Sequence, residues 1–163
     1  MKSYLLSQLV FRFGSQDLKA FQTAHPHDWL LWEPGTWKPP SSSTVMLLEP
    51  VSDAPKKKAP SGEALALAML PNVQGGFTVG RGNECDAPIN DGTLSQLHLV
   101  FLRSPKGDWT VRDAGSKNGS WVDGHKLQQG KPVGLRDGTR IMAAQVAFSF
   151  YTPAAMLKRI KQP

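Results

Sequence analysis

The sequence of 163 residues holds a single cysteine, Cys85, so no intramolecular disulfide can form and a small crosslinked secreted scaffold is excluded. It also lacks any uninterrupted apolar run near the roughly 20 residues that a membrane helix requires. The opening Met1-Lys2-Ser3-Tyr4-Leu5-Leu6 superficially resembles a signal peptide, but Ser7, Gln8 and Arg12 interrupt it and no small-residue cleavage pattern follows. These residues are expected to be part of the folded protein, and a soluble, cytoplasmic protein is the expectation. Missing as well are a P-loop, zinc-ligand spacing and paired catalytic carboxylates, and His25-Pro26-His27 has no nearby partners at ligand spacing. Neither an enzyme nor a cofactor or metal site is expected.

Charge of one sign is not concentrated anywhere. The 19 Lys and Arg exceed the 13 Asp and Glu to give +6, yet residues 1–60 hold seven against five and residues 61–163 twelve against eight. Only Lys56-Lys57-Lys58 forms a run, and it lies among Pro50, Pro55 and Pro60, the composition of a solvated linker. Nucleic acid and membrane are therefore not expected partners.

What the chain does have is a hydrophobic content of 40%, enough for one domain with a real core and too little length for two. Pro and Lys mark 50–62 as a flexible connector, which divides the chain into an N-terminal extension (1–49), a β-rich domain (63–152) and a C-terminal tail (153–163). In the extension, Ser15 is a plausible N-cap for a short helix over 16–24, ended by Pro26, while residues 1–13 are ambiguous between helix and strand. Trp29, Trp32 and Trp37 make this segment aromatic, for packing or for a partner surface.

Beyond Gly62, short runs of strand formers alternate with turn signals. Strands are predicted at 64–70, 76–80, 87–89, 99–103, 109–113, 120–122, 140–143 and 145–151. Turn residues separate them at Asn90-Asp91-Gly92, Pro105-Lys106-Gly107, Asn118-Gly119, Asp123-Gly124 and Asp137-Gly138. Many short strands without intervening long helices argue for an antiparallel sandwich. Thr152-Pro153 then offers an N-cap and a first-turn proline for a closing helix over 154–160, with Met156 and Ile160 facing inward.

Three loop motifs carry chemistry. Arg81 follows Thr78-Val79-Gly80 at a strand end, where glycine permits close backbone approach and a guanidinium can grip two phosphate oxygens. Ser95 offers a compact hydroxyl donor, and His98, at the start of the next strand, suits a loop-pinning hydrogen bond better than catalysis. Lys117 adds a point charge, and Asn118, in an expected hairpin turn with Gly119, can donate to and accept from an extended peptide backbone.

In order and approximate spacing these residues resemble the forkhead-associated (FHA) domain family: Gly80-Arg81, then Ser95-x-x-His98, then Ser116-x-Asn118-Gly119-Ser120, then Asp123-Gly124. The resemblance spans about residues 64–151. It implies an eleven-stranded β-sandwich that binds phosphothreonine peptides through loops at one end, without catalysis. It further implies that Arg81 and Ser95 bind phosphate, Lys117 assists and Asn118 holds peptide backbone, while Gly80, His98, Ser116 and Gly119 shape the loops. Gln96 departs from the family, which often places Arg, Lys or Asn there; its amide can still donate, but without charge. Asp137-Gly138 replaces a common Gly-Asp pair. The implied partner is a phosphothreonine-containing protein in Ser/Thr-kinase signalling. The competing reading is a phosphate-independent scaffold using the sandwich and the Trp-rich extension.

Overall fold

The structure, a computed structural model, describes residues 2–33 and 63–162. The expected connector at 50–62 and Trp37 lie outside the described residues. The elements are β1 (Ser3–Leu5), α1 (Leu6–Phe13), α2 (Leu18–Ala24), β2 (Asp28–Trp32), β3 (Leu65–Met69), β4 (Gly76–Gly80), β5 (Ala87–Pro88), β6 (Leu99–Arg103), β7 (Trp109–Asp113), β8 (Ser120–Val122), β9 (His125–Lys126), β10 (Val133–Gly134), β11 (Arg140–Ala143), β12 (Val146–Tyr151) and α3 (Pro153–Lys161). Five strands, β4, β6, β7, β8 and β11, have the expected bounds.

The strands form two sheets, ordered β1-β3-β2-β12-β11-β8-β9 and β10-β7-β6-β4-β5. All pairs are antiparallel except β4 with β5. Between the sheets lies the main core, with Leu30, Trp32, Leu65, Leu67 and Phe148 from the larger sheet meeting Phe77, Val79, Phe101, Trp109 and Val111 from the smaller. This is the sandwich the turn-punctuated strands predict. Trp109 also donates its indole N–H to Asp28 at 2.8 Å, tying β7 of the smaller sheet to the start of β2 in the larger.

The N-terminal segment departs from expectation. Residues 1–49 were expected to stand outside the sandwich, whereas β2 lies in the middle of the larger sheet, between β3 and β12, and β1 pairs with β3. Twelve strands are therefore described against the eleven that the resemblance implies, two of them from this segment. Side chains alternate across a strand, so Leu30 and Trp32 enter the main core while Trp29 and Leu31 point to the opposite face. There they pack with Ala64 and Ala66 of the adjoining chain and with Leu9, Phe21, Met156, Leu157 and Ile160 of the three helices. Burial on both faces explains why β2 and β3 read as continuous apolar runs. Trp29 (0%) and Trp32 (4%) are thus buried, and neither is available as a partner surface.

Local corrections have simple causes. Residues 1–13 are both alternatives in succession, β1 and then α1. Asp17, not Ser15, caps α2: its carboxylate accepts from the Ala20 amide at 2.8 Å, and the chain before it is occupied closing α1, with the Gln16 amide bonded to the Phe13 carbonyl. Thr152 and Pro153 do begin α3, but the Thr152 hydroxyl donates to Asp137 instead of capping. No helix among the described residues is long and apolar enough to cross a membrane.

Candidate functional site

The three motifs fall in the loops that follow β4, precede β6 and join β7 to β8, at one end of the sandwich. Antiparallel pairing puts the end of β4 beside the start of β6, and the start of β6 beside the end of β7: Val79 faces Leu99, and Leu99 faces Asp113. Hydrogen bonds then lock the loops to one another. The Arg81 amide donates to the Ser95 carbonyl at 2.9 Å and the Gly82 amide to the Gln96 carbonyl at 2.9 Å. The Ser95 hydroxyl accepts from the Lys117 amide at 3.0 Å, and the Asn118 side chain donates to the Thr93 carbonyl at 2.7 Å. All five of the expected ligand-contacting residues, Arg81, Ser95, Gln96, Lys117 and Asn118, thus lie in one cluster of loops.

His98 is the buried pin of this cluster. It has no exposed surface; Nδ1 accepts from the Ser95 amide at 3.1 Å and Nε2 donates to the Gly119 carbonyl at 2.9 Å. Accepting at Nδ1 requires a lone pair there, so the bonding pattern assigns the ring hydrogen to Nε2. Through these two bonds His98 joins the second loop to the third.

The Asn118-Gly119 turn is not the expected hairpin. Gly119 has φ +87, but Asn118 is not in the left-handed region, and the loop crosses from β7 in the smaller sheet to β8 in the larger. Asp123-Gly124, with φ of +48 and +83, makes the true two-residue hairpin between β8 and β9. What shapes the crossing loop instead is Asp113, a residue the sequence reading missed. Its buried carboxylate accepts from the Gly115 amide at 2.8 Å, the Ser116 amide at 2.7 Å, the Ser116 hydroxyl at 2.6 Å and the Ser120 hydroxyl at 2.5 Å. Burial opposes its ionisation, but the Ser116 and Ser120 hydroxyls and the Ser116 and Gly115 amides outweigh burial and hold the carboxyl below the usual range. The Ser116 hydroxyl in turn accepts from the Gly119 amide at 2.9 Å. An acid at a strand end, two residues before glycine and three before serine, is the turn-forming signal that could have revealed it.

Close backbone approach explains two glycines. A β-carbon at Gly80 would collide with the Gln96 carbonyl oxygen, and one at Gly82 would stand 2.9 Å from that oxygen and 3.0 Å from the Gln96 side-chain oxygen. Only Gly80 was anticipated. The Gln96 side chain therefore lies against Gly82, beside Arg81, and the Gln96 backbone carbonyl also accepts from the Cys85 thiol at 3.1 Å.

Arg81 and Lys117 are both exposed, and among the described residues neither side chain has a salt-bridge partner. Two unpaired cations, an ordered hydroxyl and an asparagine amide on pinned loops form a surface suited to an anion carried on an extended chain.

Residues 77–143 match the family model of the FHA domain. Among solved structures, this chain is similar to the FHA domain of an Arabidopsis thaliana hypothetical protein, with 27% identity over 53% of this chain and 72% of that chain and a TM-score of 0.48. It is also similar to the FHA domain of the CT664 protein from Chlamydia trachomatis, with 19% identity over 53% and 84% and a TM-score of 0.47. A third is the N-terminal FHA domain of S. cerevisiae Rad53p, solved in complex with a phosphothreonine peptide, with 23% identity over 52% and 73% and a TM-score of 0.44. From Phe77 at the second residue of β4 to Ala143 at the end of β11, the segment that carries all three loops is the one that matches the FHA domain model.

Proposed function

We propose that this chain is a non-catalytic module that binds phosphothreonine-containing peptides and serves Ser/Thr-kinase signalling in the cytoplasm. The observation that carries the reading is the direct linkage of the phosphate candidates: Arg81 is bonded through its amide to Ser95, and Ser95 through its hydroxyl to Lys117. Because the Ser95 oxygen already accepts from Lys117, its own hydrogen is free to donate outward. A phosphate with about −1.5 to −2 charges and three acceptor oxygens can then take the Arg81 guanidinium, the Ser95 hydroxyl and the Lys117 ammonium together. Asn118, with its amide nitrogen engaged to Thr93, retains its oxygen to accept from the peptide backbone.

Charge-assisted hydrogen bonds contribute roughly 1.5–3 kcal/mol each, so two of them separate phosphorylated from unmodified peptide by on the order of a hundredfold or more. Titration of phosphothreonine and unmodified peptide libraries tests this, with Arg81→Ala as the variant. A phosphate preference that collapses in Arg81→Ala is expected; equal binding of both peptide forms by the wild type, or an unaffected variant, would overturn the reading. Binding should also weaken as salt rises and as pH falls through the second phosphate pKa of about 6.

A further inference from the structure

Next to the phosphate candidates, the Gly119 turn abuts two side chains that the loop motifs do not include. A β-carbon built on Gly119 would lie 3.2 Å from the Trp121 ring carbon Cη2 and 3.4 Å from Lys126 Cε. The outer end of the indole and the stem of the lysine therefore rest against the bare turn. Trp121 and Lys126 face each other across the β8–β9 pair, so they project from the same face of the hairpin. Trp121 is half-buried and Lys126 exposed.

Lys126 has no acidic partner among the described residues. Three acids of the site loops and the hairpin are engaged elsewhere. Asp123 accepts from the Arg140 amide at 2.9 Å, Asp113 is consumed by the crossing loop, and Asp91 bonds Thr93. Arg81 and Lys117 on two of the loops, and Lys126 on the hairpin, are thus three cations without an acidic partner among the described residues. An apolar indole wall beside an ammonium displaces water and lowers the local effective dielectric constant, so a carboxylate there gains more than it would from a lysine standing free in water.

Resting on the phosphothreonine reading above, we propose that Trp121 and Lys126 form a second subsite that takes an acidic side chain flanking the phosphothreonine, making the preferred ligand an acidic phosphothreonine peptide. An extended peptide advances about 3.3 Å per residue. A chain held at Asn118 reaches the Gly119 turn, and the Trp121–Lys126 pair beyond it, within three residues of the phosphothreonine. The absence of a side chain at Gly119 lets the indole and the lysine stem close against the turn, which keeps the pair next to the loop that carries Asn118.

The test is a set of phosphothreonine peptides carrying Glu, Gln or Lys singly at each of the three positions on either side, with unphosphorylated counterparts. Anisotropy titrations are made with wild type, Lys126→Glu, Lys126→Gln and Trp121→Leu. In the wild type, one position favours Glu over Lys by about tenfold. Lys126→Glu reverses that order at the same position and at no other, Lys126→Gln flattens it, and Trp121→Leu reduces it. A uniform Glu preference across all positions, or one that survives both Lys126 variants, would overturn the subsite while leaving phosphothreonine binding standing. Equal binding of phosphorylated and unphosphorylated peptides by the wild type would instead remove the phosphothreonine reading, and the subsite with it.

Discussion

The Ser95 hydroxyl accepts from the Lys117 amide at 3.0 Å, and this single bond joins the loop before β6 to the loop that crosses from β7 to β8. It also orients Ser95. With one lone pair occupied by that bond, the hydroxyl hydrogen remains available to donate.

Ser95→Ala should therefore lose both a phosphate donor and the positioning of Lys117. A fall of roughly tenfold to a hundredfold in phosphopeptide affinity is expected, with Ser95→Thr retaining most of it. Isothermal titration with a single phosphothreonine peptide reads the difference. Affinity equal to wild type in Ser95→Ala would exclude the hydroxyl from the site.

Gln96 lies against Gly82, next to Arg81, and is uncharged where the family often carries a cation. Gln96→Arg should raise phosphopeptide affinity by about fivefold and steepen its decline with salt, because the new contact is charge-assisted. Affinity measured at two ionic strengths checks both effects. An unchanged salt slope would mean that position 96 does not face the phosphate.

Asp113 links site geometry to acid stability. Its folded carboxyl is held below the ordinary range, so its contribution is fully present above the unfolded value of about 3.9 and is lost as pH falls through the folded value. Asp113→Asn cannot accept all four bonds equally well. It should lower stability by about 1–3 kcal/mol at pH 7, and the gap from wild type should narrow below about pH 4. Urea denaturation at pH 7 and pH 3.5 distinguishes this from a plain packing defect, for which the gap would be pH-independent.

His25 gives the opposite group the same acid sensitivity. It sits among Tyr4, Phe13, Phe21, His27 and Trp29, and its pKa is lowered to about 4, first by burial and then by His27, Arg12 and Lys2. Unfolded histidine takes a proton near 6.5 while the folded ring refuses it. Stability is thus unaffected well above pH 6.5, declines from there to about pH 4 and levels off below. Between pH 7 and pH 5 the loss from His25 is about 2 kcal/mol. His25→Phe, which keeps an aromatic ring in that setting, should flatten this part of the profile; an identical slope in the variant would exonerate His25.

The site was more legible in the sequence than the fold around it. Glycine, asparagine and aspartate mark turns by their own chemistry, so the loops and the five strands they bound stand out locally. β2 does not. Its Trp29-Leu30-Leu31-Trp32 run is buried on both faces, which erases the alternation that identifies a strand, and its partners are β3 and β12, remote in the chain. β9 and β10 have two residues each, too few to show any period. Asp113 escaped notice because its importance lies in four bonds that exist only after the loop has crossed between sheets. Gly82 escaped because the carbonyl it must approach belongs to Gln96, 14 positions later.

The placement of β2 has a consequence for how the protein can be divided. Residues 2–33 hold β1, α1, α2 and β2, and they insert a strand into the interior of a sheet whose neighbours on both sides come from residues 65–151. A polypeptide beginning at residue 63 would leave the edges of β3 and β12 without the strand that pairs with both, an invitation to self-association. The first 33 residues added as a separate peptide match those edges in register and in apolar side chains. The domain therefore has the makings of a split protein, in which complementation by the N-terminal fragment restores the sheet and, through the sandwich it completes, the loops at its far end.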